Sequence, residues 1–158
     1  MTIVVANEYY RFVATKVQPV LEEQTSLSII RTADLLMRKG AELLKLHGLS
    51  PTQYNVLRIL RGAGEDGASC KDVGARLVAS DPDITRLMDR LEKRGLLVRD
   101  RAKEDRRVVT HRLTREGLNL VNVLDRPIQR MHREIMRNIE PERLKVLIAI
   151  LEEVRIAI

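Results

Sequence analysis

Cysteine and aromatic residues are scarce in this chain of 158 residues. It has one cysteine, Cys70, one phenylalanine, three tyrosines and no tryptophan. A single cysteine excludes an internal disulfide framework and a zinc site built on several thiolates. With so few aromatic rings, we do not expect the stacking platforms on which proteins bind exposed single-stranded bases.

Long apolar runs are also missing. The longest, 146–151, has six residues, whereas a membrane-spanning helix needs about 18 or more. The first residues, Met-Thr-Ile-Val-Val-Ala, lack the basic segment of an export signal. We therefore expect no membrane partner and a reducing, cytoplasmic location. The length predicts one domain with appended helices.

Residues that would carry catalysis are not grouped in the sequence. His47, His111 and His132 are far apart and lack metal-ligand spacing. The segment 62–67 formally matches the glycine pattern of a dinucleotide-binding loop. It follows a helical pattern, however, whereas that loop follows a strand. We therefore expect no enzyme activity, no cofactor and no metal.

The net charge of +6 is concentrated in one block. Residues 86–115 hold eleven Lys or Arg and five acidic residues, so the block carries +6 by itself and the rest of the chain is neutral. Localised positive charge points to a polyanionic partner. On charge alone, a solvated basic surface without a partner fits equally well.

The apolar periodicity predicts helices, then a hairpin, then helices. The predicted elements are a helix over about 8–47, broken near Pro19 and closed by Gly48; a second from Ser50-Pro51 to Gly62; a third from Ser69 with Val73, Leu77 and Val78 inward; a fourth from Ser80-Asp81-Pro82; strands over 96–99 and 108–113; a helix from Thr114 to about Asn138, bent at Pro127; and a last helix from Glu140-Pro141. Serine or threonine caps support the starts at 50, 69, 80 and 114. Proline in the first turn supports the starts near 51 and 82.

The fourth helix has two different faces. Ile84, Leu87, Met88 and Leu91 share one face, and Arg86, Arg90 and Lys93 share another. The helix ends at Gly95, and the strands after it form a hairpin with a charged tip at 103–107. Two short helices, the second with a basic outer face, form a helix-turn-helix, whose second helix enters the major groove. The hairpin is its wing.

Three segments in this order resemble the MarR (multiple antibiotic resistance regulator) family of winged helix-turn-helix transcription factors. They are Ile84-Thr-Arg-Leu-Met-Asp-Arg-Leu-Glu-Lys-Arg-Gly-Leu-Leu-Val-Arg99, Glu104-Asp-Arg-Arg-Val-Val109 and Leu113-Thr-Arg-Glu-Gly117. The helix start Ser50-Pro-Thr-Gln-Tyr54 also resembles the family. The close resemblance covers about residues 48–118.

The resemblance implies a mainly α fold with a small β wing. A winged helix-turn-helix lobe at 48–114 is expected to lie between dimerisation helices at 1–47 and 115–158, the whole forming one intertwined domain. It further implies a homodimer that binds double-stranded DNA at a pseudo-palindromic operator, acts most often as a repressor, and responds to a small-molecule effector. The apolar residues Ile156 and Ile158 at the end of the last helix independently favour a partner chain, because without one they would be left in water.

The resemblance also implies which residues contact DNA. Thr85, Arg86 and Arg90 lie where the recognition helix of the family faces bases and phosphates. Arg106 and Arg107 match the wing arginines, and Asp105 matches the acid that orients them. We also assign DNA-backbone contacts to two residues at the start of the third helix, Ser69 and Lys71.

The start of the fourth helix departs from the family. Many relatives have small neutral residues where this chain has Asp81-Pro82-Asp83. Acids there favour the helix dipole but oppose nearby phosphates. The sequence leaves open whether either acid caps the helix or whether Asp83 accepts a hydrogen bond from a cytosine amino group.

Two further residues have alternative interpretations. Tyr54 either lines a ligand cleft or belongs to the core. Cys70 is either an inert thiol or a redox switch, if the helix N-terminus and Lys71 depress its pKa. Alternatives to a sequence-specific regulator are a nonspecific architectural DNA-binding protein, a regulator that senses oxidation through Cys70, and a module whose basic hairpin binds an acidic protein.

Overall fold

A computed structural model describes residues 20–78, 81–101 and 109–158 of the chain, with Arg101 described as backbone only. The described elements are α1 (Leu21–Lys45), α2 (Pro51–Ala63), a 3-10 turn (Gly64–Asp66), α3 (Cys70–Arg76), α4 (Ile84–Lys93), β1 (Leu97–Arg101), β2 (Val109–Leu113), α5 (Arg115–Met136) and α6 (Pro141–Ile156). The predicted order of helices, hairpin and helices is confirmed. The predicted break near Pro19 lies outside the described residues.

Glycine ends α1 as predicted. Gly48 has a φ of +65°, its N–H donates to the carbonyl of Lys45, and the N–H of Leu49 donates to the carbonyl of Leu44. These two bonds form a Schellman motif, which satisfies carbonyls that the helix itself leaves free. Leu44 is the one buried residue of α1, so most of this helix lies outside the core of the described chain.

The start of α2 is set by a capping box. The hydroxyl of Ser50 accepts a hydrogen bond from the N–H of Gln53, and the side chain of Gln53 accepts one from the N–H of Ser50. This pairing satisfies two backbone donors at the helix start. The helix continues through Gly62 to Ala63, so the predicted end at Gly62 is wrong. Gly64, with a φ of +61°, ends it instead.

The side chain of Val78 is 87% exposed, so the prediction that it points inward is wrong. The helix α3 ends at Arg76, and Leu77 already has an extended backbone. Val78 therefore lies beyond the helix, where helical periodicity does not apply. Its N–H donates to the side-chain oxygen of Asn55 on α2 at 3.0 Å. Val73, by contrast, is buried as predicted.

The wing strands are antiparallel, with Leu97 opposite Leu113 and Arg101 opposite Val109. An isolated bridge joins Ala68 to the other side of β2 at His111, through two backbone hydrogen bonds of 2.9 and 2.8 Å. The segment before α3 is thereby held against the hairpin. This bridge fixes the base of the wing relative to the helix-turn-helix.

Thr114 begins α5 as predicted, since its hydroxyl accepts a hydrogen bond from the N–H of Gly117 at 3.0 Å. The helix contacts β2, α2 and α1 and buries Val121, Leu124 and Ile128. It ends at Met136, and Pro127 lies within it. A close approach occurs at Gly117, where a Cβ atom would lie 2.0 Å from the carbonyl oxygen of Leu96.

The core is centred on the winged helix-turn-helix lobe, and α1 and α5 also contribute buried side chains to it. Its buried hydrophobic residues are Leu44, Leu49, Tyr54, Val56, Leu57, Leu60, Ala68, Val73, Leu87, Met88, Leu91, Leu96, Leu97, Val121, Leu124 and Ile128. The helix α6 has no buried residue. Within the described ranges, no helix combines the length and hydropathy that a membrane span requires.

Candidate DNA-binding surface

The helix α4 has the two faces that its sequence predicts. Leu87, Met88 and Leu91 are buried, and Thr85, Arg86, Arg90 and Lys93 are exposed. Its C-terminus is closed by a second Schellman motif, because Gly95 has a φ of +69° and its N–H donates to the carbonyl of Glu92. Packing of one face therefore presents the basic face to solvent.

The two acids before α4 have different roles. Asp83 is the N-cap residue, but its side chain makes no capping hydrogen bond. Its N–H donates to a carboxylate oxygen of Asp81 at 2.8 Å, so Asp81 orders the turn that leads into the helix. The Asp83 carboxylate lies 3.5 Å from Arg86. Neither acid caps the helix through its side chain, which answers one of the two questions that the sequence left open.

The wing residues Asp105, Arg106 and Arg107 lie outside the described residues. The two strands on either side of these residues, β1 and β2, belong to the same lobe as α4. At the base of the wing, the Nε of Arg112 donates to Asp100 at 2.6 Å, and the guanidinium lies 3.7 Å from Glu65. Arg112, although part of the basic block, is therefore engaged in ion pairs within the lobe.

Arg94 is a second basic residue with a structural contact. Its guanidinium donates to the backbone carbonyls of Gly48 at 2.6 Å and His47 at 3.2 Å. These carbonyls follow the C-terminus of α1, where cations are favoured. The contact holds the end of α4 against the junction of α1 and α2. Charge counting missed it, because it joins residues 46 positions apart.

The residues assigned at the start of α3 differ in availability. The hydroxyl of Ser69 accepts from the N–H of Asp72 and donates to its carboxylate at 2.6 Å, a capping box that engages the side chain. The side chain of Lys71 is exposed. The assignment of a DNA-backbone contact to these two residues stays a prediction. Among the residues that the structure describes, no ion pair engages Lys71.

The redox alternative for Cys70 requires a depressed pKa, which the structure does not favour. Burial raises the pKa of the Cys70 thiol and outweighs the lowering by the Arg99 cation. A thiol in less polar surroundings favours its neutral form, which is the less reactive one. The electrostatic basis for a redox switch at Cys70 is therefore wrong.

His111 is a buried histidine beneath the wing. His111 is only 2% exposed, and its Nδ1 atom has no hydrogen-bond partner among the described residues. Burial lowers the pKa of His111, and the nearby Arg99 cation lowers it further. The part of the chain that the structure describes holds no group of three residues able to bind a metal. This part includes all three histidines, His47, His111 and His132.

A cavity lies between α1, α2 and α5. Its volume is about 210 Å³, and its lining residues are Leu36, Met37, Gly40, Leu44, Pro51, Thr52, Tyr54, Asn55, Arg58, Val78, Ile128, Met131 and His132. The guanidinium carbon of Arg58 lies 5.9 Å from the centre of the Tyr54 ring. Tyr54 is buried, which confirms the core interpretation. It also lies in the cavity wall, and a ligand-binding role for it stays a prediction.

The fold and the exposed basic face of α4 define a DNA-binding protein of the winged helix-turn-helix class. A model of the MarR family matches residues 47–108. A MarR transcription factor from Planctomyces limnophilus, with a known crystal structure, is 36% identical; the match covers 87% of this chain and 98% of that one, with a TM-score of 0.65. This chain belongs to the MarR family of transcriptional regulators.

Two other proteins extend the comparison. The homoprotocatechuate degradative operon repressor of Escherichia coli is 26% identical over 133 residues, 84% of this chain and 88% of its own. MepR of S. aureus, in its complex with DNA, is 20% identical and shares the fold, with a TM-score of 0.77 over 84% of this chain and 97% of its own. This chain spans about half the length, 51% and 46%, of two curated Bacillus subtilis regulators that it also matches.

Proposed function

We propose that this chain is a homodimeric repressor that binds a pseudo-palindromic duplex operator. The observation that carries the proposal is the exposed face of α4, where Thr85, Arg86 and Arg90 lie outside the core. Within the described ranges, no ion pair engages Arg90, and Arg86 has only the 3.5 Å pair with Asp83. A guanidinium with free donors can bind guanine or a phosphate through two hydrogen bonds.

The wing supplies the second part of the proposed interface. Arg106 and Arg107 contact the sugar-phosphate backbone in the adjacent minor groove, and Asp105 orients them. Arginine is favoured there because a narrow minor groove concentrates negative potential. The basic block at 86–115 supports this assignment, and Arg94 and Arg112 do not take part because their guanidinium groups are engaged within the lobe.

The proposed dimer is formed by the helices outside the lobe, residues 1–47 and 115–158. Exposed apolar residues support it, since α1 and α6 leave large side chains in water: Leu21, Ile30, Leu35, Met37, Val146, Leu147, Ile148, Ile150, Val154 and Ile156. Apolar surface of this extent marks an interface. Two-fold symmetry then places two recognition helices about one DNA turn apart.

The cavity beside Tyr54 is proposed to hold the effector. It lies between helices of the lobe and helices of the proposed dimer arm, so a ligand there changes the orientation of one relative to the other. Its wall is mostly apolar, with the cation of Arg58 at one side. This chemistry favours a small apolar acid. Release from DNA requires that the acid binds more tightly to the non-binding state.

Selection of duplexes from a random pool at physiological salt tests the proposal, because low salt inflates nonspecific phosphate binding. We expect an enriched pseudo-palindrome with half-sites about 10 bp apart and a dimer by sedimentation. No enrichment by a folded protein would overturn sequence-specific binding.

A second experiment tests the effector. We expect 1-naphthoate to raise the Tm and to weaken operator binding. Uncharged 1-naphthamide should do neither, and Arg58→Ala should remove the response to 1-naphthoate.

A further inference from the structure

The carboxylate of Asp83 has no role in capping α4. An aspartate at the N-cap ordinarily stabilises a helix by about 1 kcal/mol, because its side chain accepts from a first-turn N–H. Asp83 makes no such bond. The turn is instead ordered by Asp81, whose carboxylate accepts from the N–H of Asp83 at 2.8 Å. Hydrogen bonding at the helix start therefore does not explain an acid at position 83, which is left with the general attraction of its charge to the helix dipole.

The ion pair of Asp83 with Arg86 does not explain the acid either. The two groups are 3.5 Å apart, and their side chains are 48% and 81% exposed. A long, solvated pair of this kind contributes little to stability. Both side chains can therefore give up this weak ion pair and form stronger hydrogen bonds with other groups. Beside a DNA phosphate, the Asp83 carboxylate would weaken binding by repulsion, so its presence needs a partner that donates a hydrogen bond.

We infer that Asp83 determines specificity by accepting a hydrogen bond from the N4 amino group of a cytosine in each half-site of the operator. A carboxylate is only an acceptor. In the major groove, guanine offers O6 and N7 and thymine offers O4, all acceptors that repel it. Cytosine offers the N4 amino donor alone, whereas adenine places the N7 acceptor beside its N6 amino group.

The position of Asp83 on α4 fits this task. The N-terminal residues of a recognition helix are the ones that reach base edges in helix-turn-helix complexes. Arg86 lies one turn further along α4 and is free to donate to a guanine on the opposite strand. The pair then recognises cytosine with an acceptor and guanine with a donor. This inference rests on the proposed function, because it needs α4 in the major groove.

Parallel selections from one random duplex pool test the inference. The proteins are the wild type, Asp83→Ala, Asp83→Asn and the control Asp66→Asn, which removes an exposed acid of the lobe away from α4. We expect one cytosine position per half-site for the wild type and for Asp66→Asn. Asp83→Ala should lose that preference, with discrimination between the C·G duplex and its T·A substitute falling about tenfold.

Asp83→Asn gives a second readout that a merely structural role would not produce. Asparagine can donate to N7 and accept from N6 of adenine, so the selected base at that position should change from cytosine to adenine. Circular dichroism and the Tm establish that each variant is folded. If the wild type enriches an operator and Asp83→Ala or Asp83→Asn enriches the same one, the inference is overturned alone. If the folded wild type enriches nothing, the proposed function is overturned as well.

Discussion

The guanidinium of Arg61 donates to both carboxylate oxygens of Asp125, at 2.7 and 3.0 Å. It also donates to the side-chain oxygen of Asn122 at 3.0 Å. Arg61 lies on α2 within the lobe, and Asp125 lies on α5. This bidentate contact therefore joins the helix-turn-helix to the helix that leaves the wing, and it holds the pKa of the Asp125 carboxyl below its usual value.

Breaking this contact should lower stability by a modest amount. Both side chains are about one-third exposed, so solvent screening limits the loss to about 1 kcal/mol for Arg61→Ala. Urea unfolding at a fixed protein concentration measures it. Lys39→Ala is the control, because Lys39 pairs with Glu42 where both side chains are about two-thirds exposed. Equal losses for the two variants would contradict the importance of the bidentate geometry.

Replacing Gly117 by alanine should be strongly destabilising. The added Cβ would lie 2.0 Å from the backbone oxygen of Leu96, so α5 must move away from the lobe, at a cost of about 3 kcal/mol. Gly74→Ala is the matched control. Gly74 is also helical and has no atom within 4 Å of an added Cβ, so this change should stabilise by about 0.5–1 kcal/mol. Thermal unfolding compares the two, and a tolerated Gly117→Ala would contradict the close approach.

Acid should destabilise the lobe through His111. Burial lowers the pKa of His111 in the folded protein from its ordinary 6.5, so below that pH the unfolded chain binds the proton more readily. As the pH falls, the free energy of unfolding decreases by up to about 1.4 kcal/mol per pH unit. The decrease ends when the pH reaches the pKa of His111 in the folded protein. Urea unfolding between about pH 7.5 and 5.5 measures this dependence.

Two variants isolate this histidine. His111→Asn should have a smaller loss of unfolding free energy on acidification than the wild type. His132→Asn removes an exposed histidine and should keep the dependence of the wild type. If the curves of His111→Asn and the wild type ran parallel, the buried imidazole would not be the titrating group.

The Cys70 thiol should react slowly. Because burial raises its pKa, we expect alkylation by iodoacetamide at neutral pH to be several-fold slower in the folded protein than in urea. The chain has one cysteine, so the rate reports on this site alone. Rapid alkylation, together with loss of operator binding after peroxide treatment, would restore the redox alternative.

Substitutions in α4 and in the wing should have different effects on DNA binding. Arg90→Ala should relax base preference, because it removes a contact to base edges. Arg106→Ala and Arg107→Ala should weaken binding to every sequence and reduce the salt slope by about 1 for each lost phosphate contact. Affinity measured against salt concentration separates the two. An unchanged affinity after both wing substitutions would contradict the wing assignment.

Much of the helical architecture could be predicted from the sequence because local signals determine it. Ser50, Ser69 and Thr114 begin their helices as predicted, and Gly48 and Gly95 end theirs. Such caps depend on groups within a few residues of each other. The wrong end at Gly62 came from the same kind of local signal. A glycine inside a helix costs only about 1 kcal/mol, so packing can override that signal.

Local signals did not predict the contacts of individual charged residues. The basic block contains Arg94, which binds the carbonyls at the end of α1, and Arg112, which pairs with Asp100. A count of charges does not distinguish Arg94 and Arg112 from Arg86 and Arg90. Only the packing of α4 against the α1–α2 junction, and of β1 against β2, distinguishes the arginines engaged within the lobe from those that stay exposed on α4.

By itself, the sequence determined the two faces of α4, the N-caps of α2, α3 and α5, the wing strands and the family. These follow from periodicity and motif spacing, which are properties of neighbouring residues. Tertiary structure alone decided that Val78 is exposed, that His111 is buried and that the pKa of Cys70 is raised. Each of these depends on where the folded chain places its groups, because burial and neighbouring charges set the free energy of a polar group.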